Sequence, residues 1–161
     1  EGVWGLGCDA NNINARKKIS LLKQRPDNKN FILLAPSISF AIDCSEKIES
    51  SQIEFLESIW PGHVTVILQA NSSISPSIKD ENNTIGIRVS NHLPIISLLN
   101  SFNSLMVSTS ANISKFPTPN SLAEVKEIFN DSDVAVYAHD NGDALKPSSI
   151  IDLETMEYIR E

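Results

Sequence analysis

The sequence predicts an α/β (α+β) domain built around a single twisted mixed sheet flanked by helices. Three observations predict it. Short runs that alternate apolar and polar residues are interleaved along the whole chain with stripes of helical period. Some connections between strand-like runs, such as Leu153-Glu154-Thr155-Met156, are short enough to imply antiparallel pairing. The chain has 161 residues, 41% apolar and 20% charged. That is one domain's worth of polypeptide, able to fold on its own core without disulfides or metal, and it excludes a disordered, collagenous or coiled-coil chain.

The elements follow in order. Residues 12–24 read as a helix with Ala15, Ile19 and Leu22 on one face, stopped by Pro26. Residues 31–35 read as a buried strand. Residues 51–60 carry a helical stripe of Ile53, Leu56 and Trp60 behind a capping box of Ser51 and Glu54. Pro61-Gly62 ends that helix, and residues 63–70 alternate, with Val64, Val66 and Leu68 on one face. Residues 84–90 alternate as well: Ile85, Ile87 and Val89 point one way, Thr84, Gly86, Arg88 and Ser90 the other. Residues 93–102 form a helix with Pro94 in its first turn and Ile95, Leu98, Leu99 and Phe102 in its stripe. Residues 105–110 are a strand running into a polar turn. Ser121 and Glu124 cap a helix striped by Leu122, Val125 and Phe129. Residues 134–138, 149–153 and 156–160 complete the strands. There is no internal repeat, low-complexity tract or linker.

The formal net charge is −7, yet the first 30 residues alone carry +3. A basic segment on an acidic body points to a local anion site rather than a general polyanion binder. No apolar run approaches the ~20 residues of a membrane span. Cys8 and Cys44 make neither a disulfide framework nor a paired-cysteine zinc site, so a reducing, cytoplasmic compartment is expected. His63, His92 and His139 stand far apart, and no metal site is expected from them.

Four stretches can carry chemistry. Lys23-Gln24-Arg25-Pro26, with Lys29 close behind, sets an ammonium and a guanidinium two residues apart at a helix end. They can converge on a triphosphate, or simply offset the helix dipole. Arg88 sits mid-strand on a polar face beside Thr84 and Gly86, where an anion could approach the sheet closely. Ser108-Thr109-Ser110-Ala111-Asn112 offers hydroxyls and turn amides for phosphate or carboxylate oxygens, although such turns are common without a ligand. Pro147-Ser148-Ser149 and Arg160 are weaker signals. No Ser-His-Asp order, HExxH or P-loop motif is present.

Six strings stand in a familiar order. They are Glu1-Gly2-Val3-Trp4-Gly5-Leu6-Gly7-Cys8-Asp9, Leu22-Lys23-Gln24-Arg25-Pro26, Trp60-Pro61-Gly62-His63-Val64-Thr65, Thr84-Ile85-Gly86-Ile87-Arg88-Val89, Val107-Ser108-Thr109-Ser110-Ala111-Asn112 and Pro147-Ser148-Ser149-Ile150-Ile151-Asp152. With them the whole chain resembles the YrdC/TsaC family of L-threonylcarbamoyladenylate synthases, in the short bacterial form. The resemblance implies a YrdC-like sheet with a large concave cleft, and an enzyme that joins L-threonine, bicarbonate and ATP with release of pyrophosphate. It implies no tightly bound cofactor, with Mg2+ arriving on ATP. Further partners it implies are downstream threonylcarbamoyl-transferase proteins and tRNA or double-stranded RNA. By motif it assigns Lys23 and Arg25 to catalysis and, with Lys29, Thr84, Asn112, Asn120 and Arg160, to ATP. Arg88, Ser110 and Ser148 fall to threonine. The family opens with a helix-strand unit ending in Pro-Thr-Glu, and this chain opens at the Glu. The reading therefore expects a sheet lacking an internal strand. A non-catalytic RNA-binding relative of the same fold remains the alternative.

Overall fold

The alternating runs become strands, and their apolar halves meet in one layer. The structure, a computed structural model, describes residues 1–25, 30–144 and 146–160. Along the chain come β1 (Gly5–Asp9), α1 (Ile13–Leu22), β2 (Ile32–Leu34), α2 (Ile38–Asp43), α3 (Ser50–Ile59) and β3 (Val64–Gln69). β4 (Thr84–Arg88), α4 (Leu93–Phe102), β5 (Met106–Ser110), α5 (Leu122–Ile128), β6 (Ser149–Asp152) and β7 (Tyr158–Arg160) follow. The seven strands make one sheet in the order β1-β5-β2-β4-β3-β6-β7. β2–β4 and β3–β6 pair in parallel and the other neighbours antiparallel, so the sheet is mixed.

The registers explain the two faces. Cys8, Val107, Leu33, Ile87, Val66 and Ile151 stand side by side across six strands. All but Cys8 are almost fully buried, and each such aliphatic side chain contributes about 1.5–3 kcal/mol by leaving water. One residue along, the opposite face carries Gly7, Ser108, Ile32, Gly86, Ile67 and Asp152. This second face is low and partly polar. A Cβ on Gly86 would stand 3.2 Å from Ile67 Cδ1 and 3.4 Å from Thr65 Cγ2, so the glycine keeps its floor shallow.

Several boundaries differ from the sequence reading, each for a local reason. The 51–60 helix begins at Ser50, and its box is formed by Glu49, whose backbone N–H donates to Gln52 Oε1 at 3.0 Å. Gln52 also reaches across to the Leu153 carbonyl, at 3.2 Å, which fixes its rotamer where Glu54 has no such partner. Glu124 receives the Asn120 backbone N–H, one residue outside the expected box, while Ser121 Oγ accepts from Glu124 N. α2 was not anticipated; six residues under a Ser37 cap are too few for a period to emerge. Residues 134–138 form no strand. Instead Tyr137 donates to the Pro94 carbonyl at 3.2 Å and stacks on His139.

Neighbouring strands are hydrogen-bonded throughout the order, and among the described strands only β1 and β7 lie at an edge.

Candidate active site

The Lys-x-Arg spacing at the end of α1 is a consequence of how that helix stops. Arg25 N donates to the Ser20 carbonyl and Gln24 N to the Leu21 carbonyl, with Gln24 in the left-handed region at φ 49°. This is a Schellman motif, with glutamine where glycine usually stands. It terminates the helix before Pro26, which lies outside the described residues, as does Lys29. The motif leaves Lys23 buried and Arg25 partly exposed.

Lys23 is only 3% exposed, so this cation at a helix end is buried. Its Nζ donates to the Ser110 carbonyl, to the Asn112 carbonyl at 2.8 Å and to Asn112 Oδ1 at 3.4 Å. Its own carbonyl accepts from Ser114 N. Ser110 Oγ donates to Asn112 Oδ1 at 2.5 Å, and Asn112 Nδ2 donates onward to the Ile113 and Phe116 carbonyls. Lys23, Ser110 and Asn112 are thus one knot, drawn together from residues far apart in the chain. Burial, and after it the Arg25 guanidinium, pull the Lys23 ammonium down to about 8. Arg25 packs its guanidinium 4.5 Å from the Phe31 ring centre and donates from Nη2 to the Asn30 carbonyl.

A solvent-open cleft of about 1100 Å3 runs along the low face of the sheet. Arg25, Arg88, Ser110, Ser148 and Arg160 all line it, together with Glu1, His63, Ser108, Thr118 and Lys146. Arg88 rises from the floor and is 8% exposed. Its Nη1 pairs with Glu1 Oε2 at 2.9 Å, and Glu1 Oε1 accepts from Ser90 Oγ at 2.6 Å. Burial would push the Glu1 carboxyl up, but Arg88, Ser90 and His63 together outweigh it and hold it below the usual range. Ser148 is buried, its Oγ 2.9 Å from Thr65 Oγ1, and its carbonyl accepts from Arg160 Nε at 3.1 Å. The cleft therefore offers three guanidinium groups and several hydroxyls. Such a set neutralises and orients phosphate and carboxylate oxygens rather than attacking a substrate.

Four assigned residues do not line the cleft: Lys23 and Asn112 stay in the knot with Ser110, and Thr84 and Asn120 lie elsewhere. Thr84 Oγ1 donates to Asp80 Oδ2 at 2.7 Å and borders a separate cavity of about 770 Å3 with Gln52 and Asp152. Asn120 is exposed before α5 and does not line the cleft. Conversely, Glu1 and His63 belong to the site although the sequence reading gave them no role. Both stand inside the motif strings, Glu1 beside the glycine-rich start and His63 after Pro61-Gly62, and that position was the available signal. Among the described residues no three His, Cys, Asp or Glu side chains gather as a metal site, and no helix is long and apolar enough to cross a membrane.

The chain is similar over its whole length to known proteins. The Sua5/YciO/YrdC family model, described as Telomere recombination, matches residues 1–161. A Vibrio campbellii protein named Threonylcarbamoyl-AMP synthase is 32% identical over 163 residues, covering 100% of this chain and 88% of its own. The crystal structure of P. abyssi Sua5 complexed with L-threonine superposes with a TM-score of 0.85 at 27% identity, over 96% of this chain and 45% of that one. The crystal structure of E. coli YciO gives 0.85 at 26% identity, over 99% of this chain and 79% of that one. The chain spans less than half of the Sua5 polypeptide but most of the Vibrio relative. The chain belongs to the Sua5/YciO/YrdC family.

Proposed function

We infer that this protein makes threonylcarbamoyl-adenylate from L-threonine, bicarbonate and ATP, releasing pyrophosphate. The observation that carries the reading is the cleft itself, where Arg25, Arg88 and Arg160 share one space with Ser110 and Ser148. The full-length similarity to a protein named Threonylcarbamoyl-AMP synthase supports the same reading. Threonine's amine and bicarbonate condense to a carbamate with loss of water, and one carbamate oxygen then attacks the α-phosphate as pyrophosphate leaves. That step needs charge neutralisation and alignment, and no protein nucleophile.

In this reading Arg25 and Arg160 take ATP phosphates, and Arg88 takes the threonine carboxylate. Ser110 and Ser148 donate at the junction between the two. Lys23 holds the Ser110–Asn112 turn in shape while contributing positive charge beneath it. Mg2+ arrives with ATP as part of the substrate. The product serves threonylcarbamoyl transfer to the adenosine beside the anticodon in tRNA, through separate transferase proteins.

The test is pyrophosphate release by the purified chain, which should require threonine and bicarbonate together. Arg25→Ala should lower kcat/KM by about 10²-fold, the scale for losing one stabilising donor, with an unchanged circular-dichroism spectrum. Pyrophosphate release indifferent to threonine would overturn the reaction, and wild-type turnover in Arg25→Ala would overturn the residue's role.

A further inference from the structure

Arg88 is held in a way that engages only part of its guanidinium. Nη1 is engaged by Glu1 Oε2 at 2.9 Å and lies 3.4 Å from His63 Nδ1. Nε is buried and has no hydrogen-bond partner among the described residues. Nε has almost no accessible surface, so only the rest of the guanidinium can meet an oxygen from the cleft that Arg88 lines.

The anchor behind Arg88 is equally specific. The Glu1 side chain is only 6% exposed. Its two oxygens divide the work: Oε1 accepts from Ser90 Oγ at 2.6 Å, and Oε2 faces Arg88 and His63. His63 Nε2 lies 2.9 Å from the Lys146 carbonyl, which can only accept, so Nε2 carries a hydrogen. Nδ1 then either donates to Glu1 as imidazolium or accepts from Arg88 Nη1 as neutral imidazole. In either case Glu1 Oε2 is what holds Nη1.

We propose that Glu1 is the positioning residue of the site, fixing Arg88 through Nη1 so that the part of its guanidinium lining the cleft receives the carboxylate of the amino-acid substrate. The proposal rests on the reading that Arg88 meets threonine. Glu1 touches no substrate; it sets the plane of the group that does. Without it, a buried cation loses its counter-charge and its orientation together.

The experiment is steady-state pyrophosphate release with threonine and ATP varied in turn, on wild type, Arg88→Ala, Glu1→Ala, the double variant and Ser90→Ala. Glu1→Ala should raise the threonine KM by about tenfold or more and leave the ATP KM within about twofold. In the Arg88→Ala background, Glu1→Ala should add nothing further, since there is no guanidinium left to aim. An unchanged threonine KM in Arg88→Ala overturns the assignment of Arg88 itself. A raised value there with an unchanged one in Glu1→Ala overturns only the positioning role. Equal increases in both KM values, or additive losses in the double variant, would reduce Glu1 to a structural residue and also overturn it. If Glu1→Ala does not fold, Ser90→Ala keeps both charges and loosens the carboxylate; a rise of about threefold in the threonine KM alone is expected, and no rise defeats the proposal.

Discussion

Lys23 directs all three of its ammonium protons at the turn that carries Ser110 and Asn112. This gives the residue a measurable titration signature. Its folded-state value of about 8 lies below the ordinary 10.5, chiefly because of burial. Between those two values the unfolded chain binds more protons at this site than the folded chain. Stability attributable to Lys23 therefore rises with pH across that window. The difference in urea unfolding free energy between wild type and Lys23→Met should increase from pH 8 to pH 10. A flat difference would show that the folded ammonium keeps its ordinary proton affinity. Glu1 has the opposite sense, because its carboxyl is held low. Its contribution is complete above the ordinary carboxylate value and disappears as the pH falls through the lowered one.

At the scale of elements, the C-terminus of α1 joins backbone geometry to the site. Gln24 occupies the left-handed conformation of a Schellman motif, a conformation that favours glycine. Gln24→Gly should stabilise the protein by about 0.5–1 kcal/mol, as read from the urea midpoint, and leave turnover unchanged. Destabilisation would mean that the Gln24 side chain contributes more than its backbone costs. This element also shows where the sequence was readable. The pair Lys23 and Arg25 was visible as cations at a helix end, and so was the alternation that puts Arg88 on the open face. That Lys23 is buried was not visible, since its acceptors are carbonyls on β5 and the turn after it, and a backbone carbonyl has no sequence signature. The strands from β3 to β6 follow local alternation. The 134–138 run carried the same alternation yet pairs with no strand, and pairing is a property of the whole sheet. Glu1 and His63 were missed for a similar reason: a carboxylate and an imidazole acquire meaning here only from the Arg88 that the fold brings between them.

For the molecule as a whole, one cleft gathers groups from β4, β5, β7 and the loops before β1 and β6. Ligands that bridge these elements should therefore stabilise all of them together. At about 100 times the dissociation constant, binding adds about 2.7 kcal/mol. In a protein of this size that corresponds to a rise in Tm of roughly 5–10 °C. Threonine with ATP should produce it in a thermal melt, whereas an unchanged Tm under conditions of measurable turnover would show that the cleft does not close its elements around substrate. The strand order carries a last consequence, for the chain as it is being made. β1 finds its ladder only in β5, Gly5 opposite Ser110 and Asp9 opposite Met106. On a ribosome adding about 5–20 residues per second, the first strand waits roughly 5–20 s for its partner to emerge. Throughout that interval Leu6 and Cys8 have no sheet to enter, and Glu1 has no arginine until β4 appears. The segment that carries β1 is thus exposed to chaperones and to aggregation throughout that interval.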